Sequence, residues 1–489
     1  MKSNSILNNM NANFLGLFGA RLFGFILVVS LARIDGALAL GTYVLAYSFT
    51  ALFNLVTSDQ SMTALATKEV SHDGAIAGHY LKIMPVINAL LGSVSYIVCI
   101  AIALIMFHKK PLVLQSILIL GMAVFILAIA GGYRWYFQSR MRLDLEARVN
   151  LVNAAATMII SLTFLLWRRN VLWFCVGPVA GAIFALALSV HYCRKLQAFP
   201  SILQVQLQWR EVWLTLRTGV PYALAALAIT ALVNYSTIML GFMDGVHAVG
   251  IFGAAQRLMQ AIRMLPAVIL PVLLPILSRK RACGRAVQLL YYRYMFLAIG
   301  ILALSVAILL TCLSPCLMSL IFGPKFDKSS TALAILGWGM CFAFMSGVNG
   351  AMLLAEHRIH DNLKIVIFAL ASEVLLGMIL IPQYNVTGAA FTWMAAELIV
   401  MLGTVHALGQ EFNHIKSFIV VPWSKSILAG FITYFSIRML APKTSTMNIV
   451  LAPAILCCLY FIFQVVNSKS IRKFKYLITK SSDSIMIQV

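Results

Sequence analysis

Three arginines stand inside otherwise apolar runs of this chain: Arg21, Arg257 and Arg263. An arginine at the centre of a bilayer costs about 2.5–3.5 kcal/mol on insertion scales, so each must face a partner or a polar path. Guanidinium is planar and permanently charged, and its fork of N–H donors matches a phosphate in a bidentate way. Arginines placed like this predict an anionic ligand, with phosphate or diphosphate the best match. Arg33, near the end of the first run, extends the basic path, and Gln256 and Gln260 flank Arg257 in a polar patch. Six residues separate Arg257 from Arg263, about 600° of helical rotation, so the two do not share one narrow stripe. A local alternative stands beside this reading: Arg21 could snorkel to a headgroup or bridge to Asp59 or Glu397. Acidic groups in or beside the apolar runs are few, and Asp59, Glu373 and Glu397 are the ones that could carry a coupling proton or sodium ion.

The elements that position these residues follow from composition. Of 489 residues, 61% are hydrophobic and 11% charged, against about 45–50% and 25% in soluble domains. Too little polar surface exists to cover a water-soluble globule, which excludes a cytosolic enzyme, a secreted domain and a disordered chain. About fourteen stretches are long and apolar enough to cross a bilayer: 12–32, 37–57, 83–107, 112–133, 149–167, 171–192, 218–242, 248–277, 292–313, 329–355, 363–381, 386–409, 422–440 and 446–466. The runs are continuous rather than alternating, so they predict helices and exclude a closed barrel. The fold class expected is an all-α polytopic membrane protein. The first run is too long for the apolar core of a signal peptide and reads as a retained span. Pro266, Pro271 and Pro275 predict a bent eighth span.

The net charge of +22 sorts by topology. Twenty-five of the 37 basic residues fall at the N-terminus, after even-numbered spans or in the C-terminal tail; nine fall on the opposite side and three inside spans. The positive-inside bias then places both termini in the cytoplasm. The charge is spent on orientation and anionic lipid rather than on nucleic acid. Asp144 and Glu146 lie in one of the basic turns and read as solvated partners of Arg142 and Arg148. The nine cysteines lie mostly in apolar runs without a CxxC pair, which fits packing better than a disulfide framework or a zinc site. No GxxxxGK[ST] or HExxH motif occurs, so neither a phosphate loop nor a zinc protease site is encoded.

The chain also repeats itself. Asp35-Gly-Ala-Leu-Ala-Leu-Gly41-Thr-Tyr43-Val-Leu-Ala46 aligns without a gap on Asp244-Gly-Val-His-Ala-Val-Gly250-Ile-Phe252-Gly-Ala-Ala255, at an offset of 209. Arg142 and Arg148 echo Arg358 and Lys364 at an offset of 216. Spans 1–6 thus predict a lobe homologous to spans 7–12, in the same orientation, with spans 13–14 added. The expected division is 1–217, 218–415, 416–467 and a basic tail at 468–489. Two such lobes predict ligand binding near the midplane between them.

Several short motifs carry a family resemblance. They are Asn234-Tyr-Ser-Thr-Ile-Met-Leu-Gly241 followed by Val249-Gly-Ile-Phe-Gly-Ala-Ala-Gln-Arg257-Leu, then Phe322-Gly-Pro-Lys-Phe326, Leu380-Ile-Pro-Gln-Tyr384 and Thr387-Gly-Ala-Ala390. Leu40-Gly-Thr-Tyr43 and Ala64-Leu-Ala-Thr-Lys-Glu69 belong to the same set. Over residues 10–410 the chain resembles O-antigen-type flippases of the multidrug/oligosaccharidyl-lipid/polysaccharide superfamily. The resemblance implies two six-helix lobes working by alternating access in a bacterial inner membrane. The implied substrate is an undecaprenyl-diphosphate-linked sugar repeat unit, with a polysaccharide polymerase and a chain-length regulator as partners and no cofactor beyond coupling to H+ or Na+. Arg21 and Arg257 then correspond to cationic cavity residues, with Arg263 and Arg33 beside them. Asn54, Gln60, Asn153, Asn234, Gln256 and Gln260 would meet the sugars. Three other readings stay open on sequence grounds: a multidrug exporter, a lipid II flippase, and a membrane polymerase or ligase acting on lipid-linked sugars.

Overall fold

The structure is a computed structural model that describes residues 3–54, 77–139, 142–196, 227–263, 277, 284–356, 358–440 and 448–462. Among the described residues all regular structure is helical and no strand occurs. The chain divides into a first unit, Met1–Gly253, and a second, Ala254–Val489. The expected boundary at 217/218 and the tail at 468–489 lie outside the described residues.

In the first unit the helices are α1 (Ser3–Phe53), α2 (Ala77–Phe107), α3 (Pro111–Ser139), α4 (Leu143–Arg168), the single turn α5 (Val171–Phe174), α6 (Val176–Lys195) and α7 (Leu227–Met243). The unit boundary falls inside α8 (Val246–Ile262). The second unit continues with α9 (Arg285–Ile321), α10 (Ser329–Ala355), α11 (Ile359–Leu408), α12 (Gln410–Leu440) and α13 (Asn448–Ile462).

A helix forms wherever the chain is long and apolar because lipid leaves the backbone no other donors or acceptors. Helix covers part of each of the fourteen predicted stretches. Among the described residues, eight helices are long and apolar enough to cross a membrane, and Leu227–Met243 is a shorter apolar one. Two of the eight hold a break. α1 has 51 residues and α11 has 50, which straight would span roughly 75 Å, far more than the ~30 Å hydrocarbon core. α1 breaks at Gly36 (φ 79°) and α11 at Asn385 (φ 51°). Both breaks fall between two predicted spans, at the Asp-Gly turn and at the Asn-Val-Thr turn.

Within the first unit α1 packs on α4 and α3, α2 on α3, and α6 on both α3 and α4. Small residues let the backbones approach: a side chain on Gly177 or Gly181 of α6 would run into Ser161 or Thr157 of α4. Met84, Tyr133, Phe137, Leu145, Val149 and Cys193 form the core at one end of these helices. Within the second unit α9 packs on α10, α12 and α13, and α10 packs on α11. Large apolar side chains such as Ile105, Leu166, Phe368 and Phe431 stay exposed. In a membrane that surface meets acyl chains rather than water.

The repeat has a backbone counterpart. Arg142 and Arg358, at the 216 offset, cap the following helix with nearly the same angles, φ −92°, ψ 56° and φ −97°, ψ 44°. Each donates its N–H to a carbonyl five residues back, to Phe137 at 2.7 Å and to Leu353 at 2.9 Å. Arg169 and Asn385, the two non-glycine residues with positive φ among the described residues, are also 216 apart.

Candidate functional site

Arg21 and Arg33 lie on the first limb of α1, and both are exposed. Asn54 ends that helix half-buried. Asn153 sits on α4 where α6 crosses it, so that a side chain on Gly181 would meet its amide oxygen. This is a packing position between two helices. Asn234 is buried on α7, and its Nδ2 donates to the Thr230 carbonyl at 2.9 Å, one turn back. Asp59 and Gln60 lie outside the described residues.

The second unit holds the denser polar group. Arg257 is half-buried on α8, and its Nη1 donates to Gln260 Oε1 at 3.0 Å. The i,i+3 spacing places the two on one face, so the amide holds the guanidinium along the helix. Gln256 is buried one residue before Arg257. Arg263 follows at the end of α8, and its positive charge acts on the carboxyl of Glu397, which is buried on the second limb of α11. Glu373, on the first limb of α11, is fully buried. The prolines expected to bend the eighth span lie outside the described residues.

Two polar groupings were not anticipated from the sequence. Tyr292 donates to Asn349 Oδ1 at 2.7 Å, and Asn349 Nδ2 donates to Thr404 Oγ1 at 3.1 Å, all buried. This chain ties α9, α10 and α11 together. Its only sequence signal is an asparagine within an apolar run. The second grouping corrects an expectation. Glu146 is not a solvated partner of Arg142 or Arg148: it is buried at the start of α4 and pairs with Arg134 of α3 at 3.2 Å. The positive end of the α4 dipole favours a carboxylate there. Asp144 does pair with Arg142, at 3.0 Å, and the hydrogen bond to Asp144 raises the Arg142 guanidinium further above its ordinary value. No group of three or more potential metal ligands occurs among the described residues.

Comparison with known proteins adds an independent line. The profile of the family described as "Polysaccharide biosynthesis protein" matches residues 6–280. The capsular polysaccharide biosynthesis protein CapF of Staphylococcus aureus is 25% identical over 219 residues, covering 44% of this chain and 51% of that protein. A putative O-antigen transporter of Escherichia coli K12 is 23% identical over 272 residues, covering 54% and 64%. The chain thus spans between half and two thirds of the length of these two relatives. Among solved structures, the lipid II flippase MurJ in an inward closed conformation superposes with a TM-score of 0.72 at 16% identity, over 94% of this chain and 98% of that one. The fold is that of the multidrug/oligosaccharidyl-lipid/polysaccharide transporters.

Proposed function

The chain belongs to the polysaccharide biosynthesis protein family, and from that premise we propose that it is a flippase for an undecaprenyl-diphosphate-linked oligosaccharide. It moves the repeat unit of an O-antigen or related surface polysaccharide across the bacterial inner membrane by alternating access. It is a transporter rather than an enzyme, and both termini face the cytoplasm. A polysaccharide polymerase and a chain-length regulator act on its product.

The observation that carries this reading is Arg257, held by Gln260 on a mostly apolar helix that also places Gln256 beside it. A lipid diphosphate cannot cross about 30 Å of hydrocarbon unaided, because its charges lose their hydration there. A half-buried guanidinium already oriented offsets part of that loss, and its fork suits a diphosphate better than an ammonium does. Arg21, Arg33 and Arg263 are the further cations assigned to the anionic head. The buried carboxyls Glu373 and Glu397 are the groups on which H+ or Na+ coupling would act.

Arg257→Ala and Arg21→Ala, each tested singly, remove surface polysaccharide while the protein stays in the membrane. Arg257→Lys restores it only in part. Undiminished polysaccharide in both alanine variants overturns the assignment. A deletion strain that is inviable, rather than merely stripped of polysaccharide, moves the substrate to a peptidoglycan precursor. A drug-sensitive deletion with intact polysaccharide moves it to a multidrug exporter.

A further inference from the structure

Gly41 and Gly250 occupy the same place in the two copies of the repeat, and the structure brings their helices into contact within the first unit. A side chain on Gly41 would overlap the Val246 carbonyl, and one on Gly250 would overlap the Ala37 carbonyl. Ala37 and Val246 are themselves 209 residues apart. The contact is therefore reciprocal: each copy offers its glycine to the same carbonyl of the other. Val44 and Gly253, a third pair at that offset, face each other, with 3.3 Å between Val44 Cβ and a Cβ built on Gly253. A residue that meets its own counterpart lies on the local two-fold axis. Leu40, Val44, Leu45, Val249 and Phe252 around the crossing are buried.

Two features mark this crossing as one that can part. Its centre is backbone against backbone, so no large side chain has to be withdrawn from a socket. Each limb also begins five residues earlier at a glycine with positive φ, Gly36 at 79° and Gly245 at 90°, and a Cβ at either would meet nothing within 4 Å. Those are unobstructed pivots at matching positions.

A second contact closes the same end. Lys110, in the turn between α2 and α3, donates from Nζ to the Gly241 carbonyl at 2.6 Å. Gly241 is in the last turn of α7, where carbonyls lack helical donors and a cation is favoured. Partial burial pushes the Lys110 ammonium below its ordinary value, so some of its hydration is given up to hold this helix end.

We propose that the Gly41–Gly250 crossing is the outer closure of the transport path and that Lys110 is its latch. The inference rests on the flippase reading and on the orientation given by the basic residues. Its test uses the full chain in membranes with the double variant Val44→Cys/Gly253→Cys, whose Cβ spacing is close to the roughly 3.5–4.5 Å of a disulfide. Oxidation is expected to consume both thiols and abolish polysaccharide export; reduction restores it. Failure of the pair to link, or full export while linked, overturns the closure. Loss of export by the reduced variant and by the native chain alike overturns the flippase reading instead. The latch is then still read without substrate: Lys110→Met is expected to raise labelling of a Val44→Cys thiol by an impermeant maleimide about ten-fold. Unchanged labelling overturns it.

Discussion

α2 and α9 hold the same place in the two copies of the repeat, yet they live in different surroundings. α2 leaves Val94, Ile97, Leu104 and Ile105 exposed. α9 is covered: Trp423 of α12 and Tyr460 of α13 pack over Leu297 and Ile301, and Ala429 and Leu456 pack over Ile308. The added helices α12 and α13 turn a surface that would meet lipid into protein core. The turns behave in the opposite way, since Arg142 and Arg358 keep one backbone geometry in both units. The two copies thus share the local hydrogen bonds that shape the turns, while their side-chain environments differ with whatever packs against each.

The turns ahead of α4 and α11 give the largest expected difference. The bridge of Arg134 to Glu146 is nearly buried, whereas Arg358 to Asp361, at 2.8 Å, is more than a third exposed on both sides. Glu146→Ala removes the carboxylate that the nearly buried Arg134 faces and is expected to cost about 3–5 kcal/mol. Asp361→Ala is expected to cost less than about 1 kcal/mol. Thermal unfolding in one detergent compares the two, and equal losses would erase the distinction between the units.

The next difference concerns the covered helix. A side chain on Gly300 of α9 would press into the Trp423 ring, so Gly300→Ala is expected to cost about 1–3 kcal/mol by overpacking. Ile97→Ala on the bare face of α2 is expected to stay within about 0.5 kcal/mol. A large loss at Ile97 would show that α2, too, is covered in the membrane, and cross-linking would then identify by what.

The smallest effect sits at the shared turns. Asn385 holds φ 51°, ψ −121°, and Arg169 holds φ 46°, ψ 49°. The first pair of angles suits glycine alone, while the second is the left-handed helical region that other residues enter at modest cost. Asn385→Gly is expected to raise stability by about 1 kcal/mol and Arg169→Gly by less. The same melts order the two.

Hydropathy made the spans legible, because insertion into lipid is decided by each segment's own transfer energy and its internal backbone bonds. The offset of 209 was legible too, since a turn's glycine and its spacing are local. Arg257 beside Gln260 could be read from helical spacing. The partner of Glu146 could not: Arg134 is twelve residues back across a turn, and Arg142 and Arg148 were nearer in sequence. Lys110 reaches a carbonyl 131 residues away, and Asn349 joins groups more than fifty residues to either side.

The sequence by itself determined that the chain is a helical membrane protein, that it carries two copies of one motif, and that the charges inside its apolar runs are mainly arginines. Those properties follow from composition and from short-range geometry. Only the tertiary structure decided that Glu397 lies in the field of Arg263, that Glu146 is buried, and that Gly41 and Gly250 meet each other. Which partner a polar group finds depends on how packed helices are rotated about their axes, and that rotation is set by all their contacts at once.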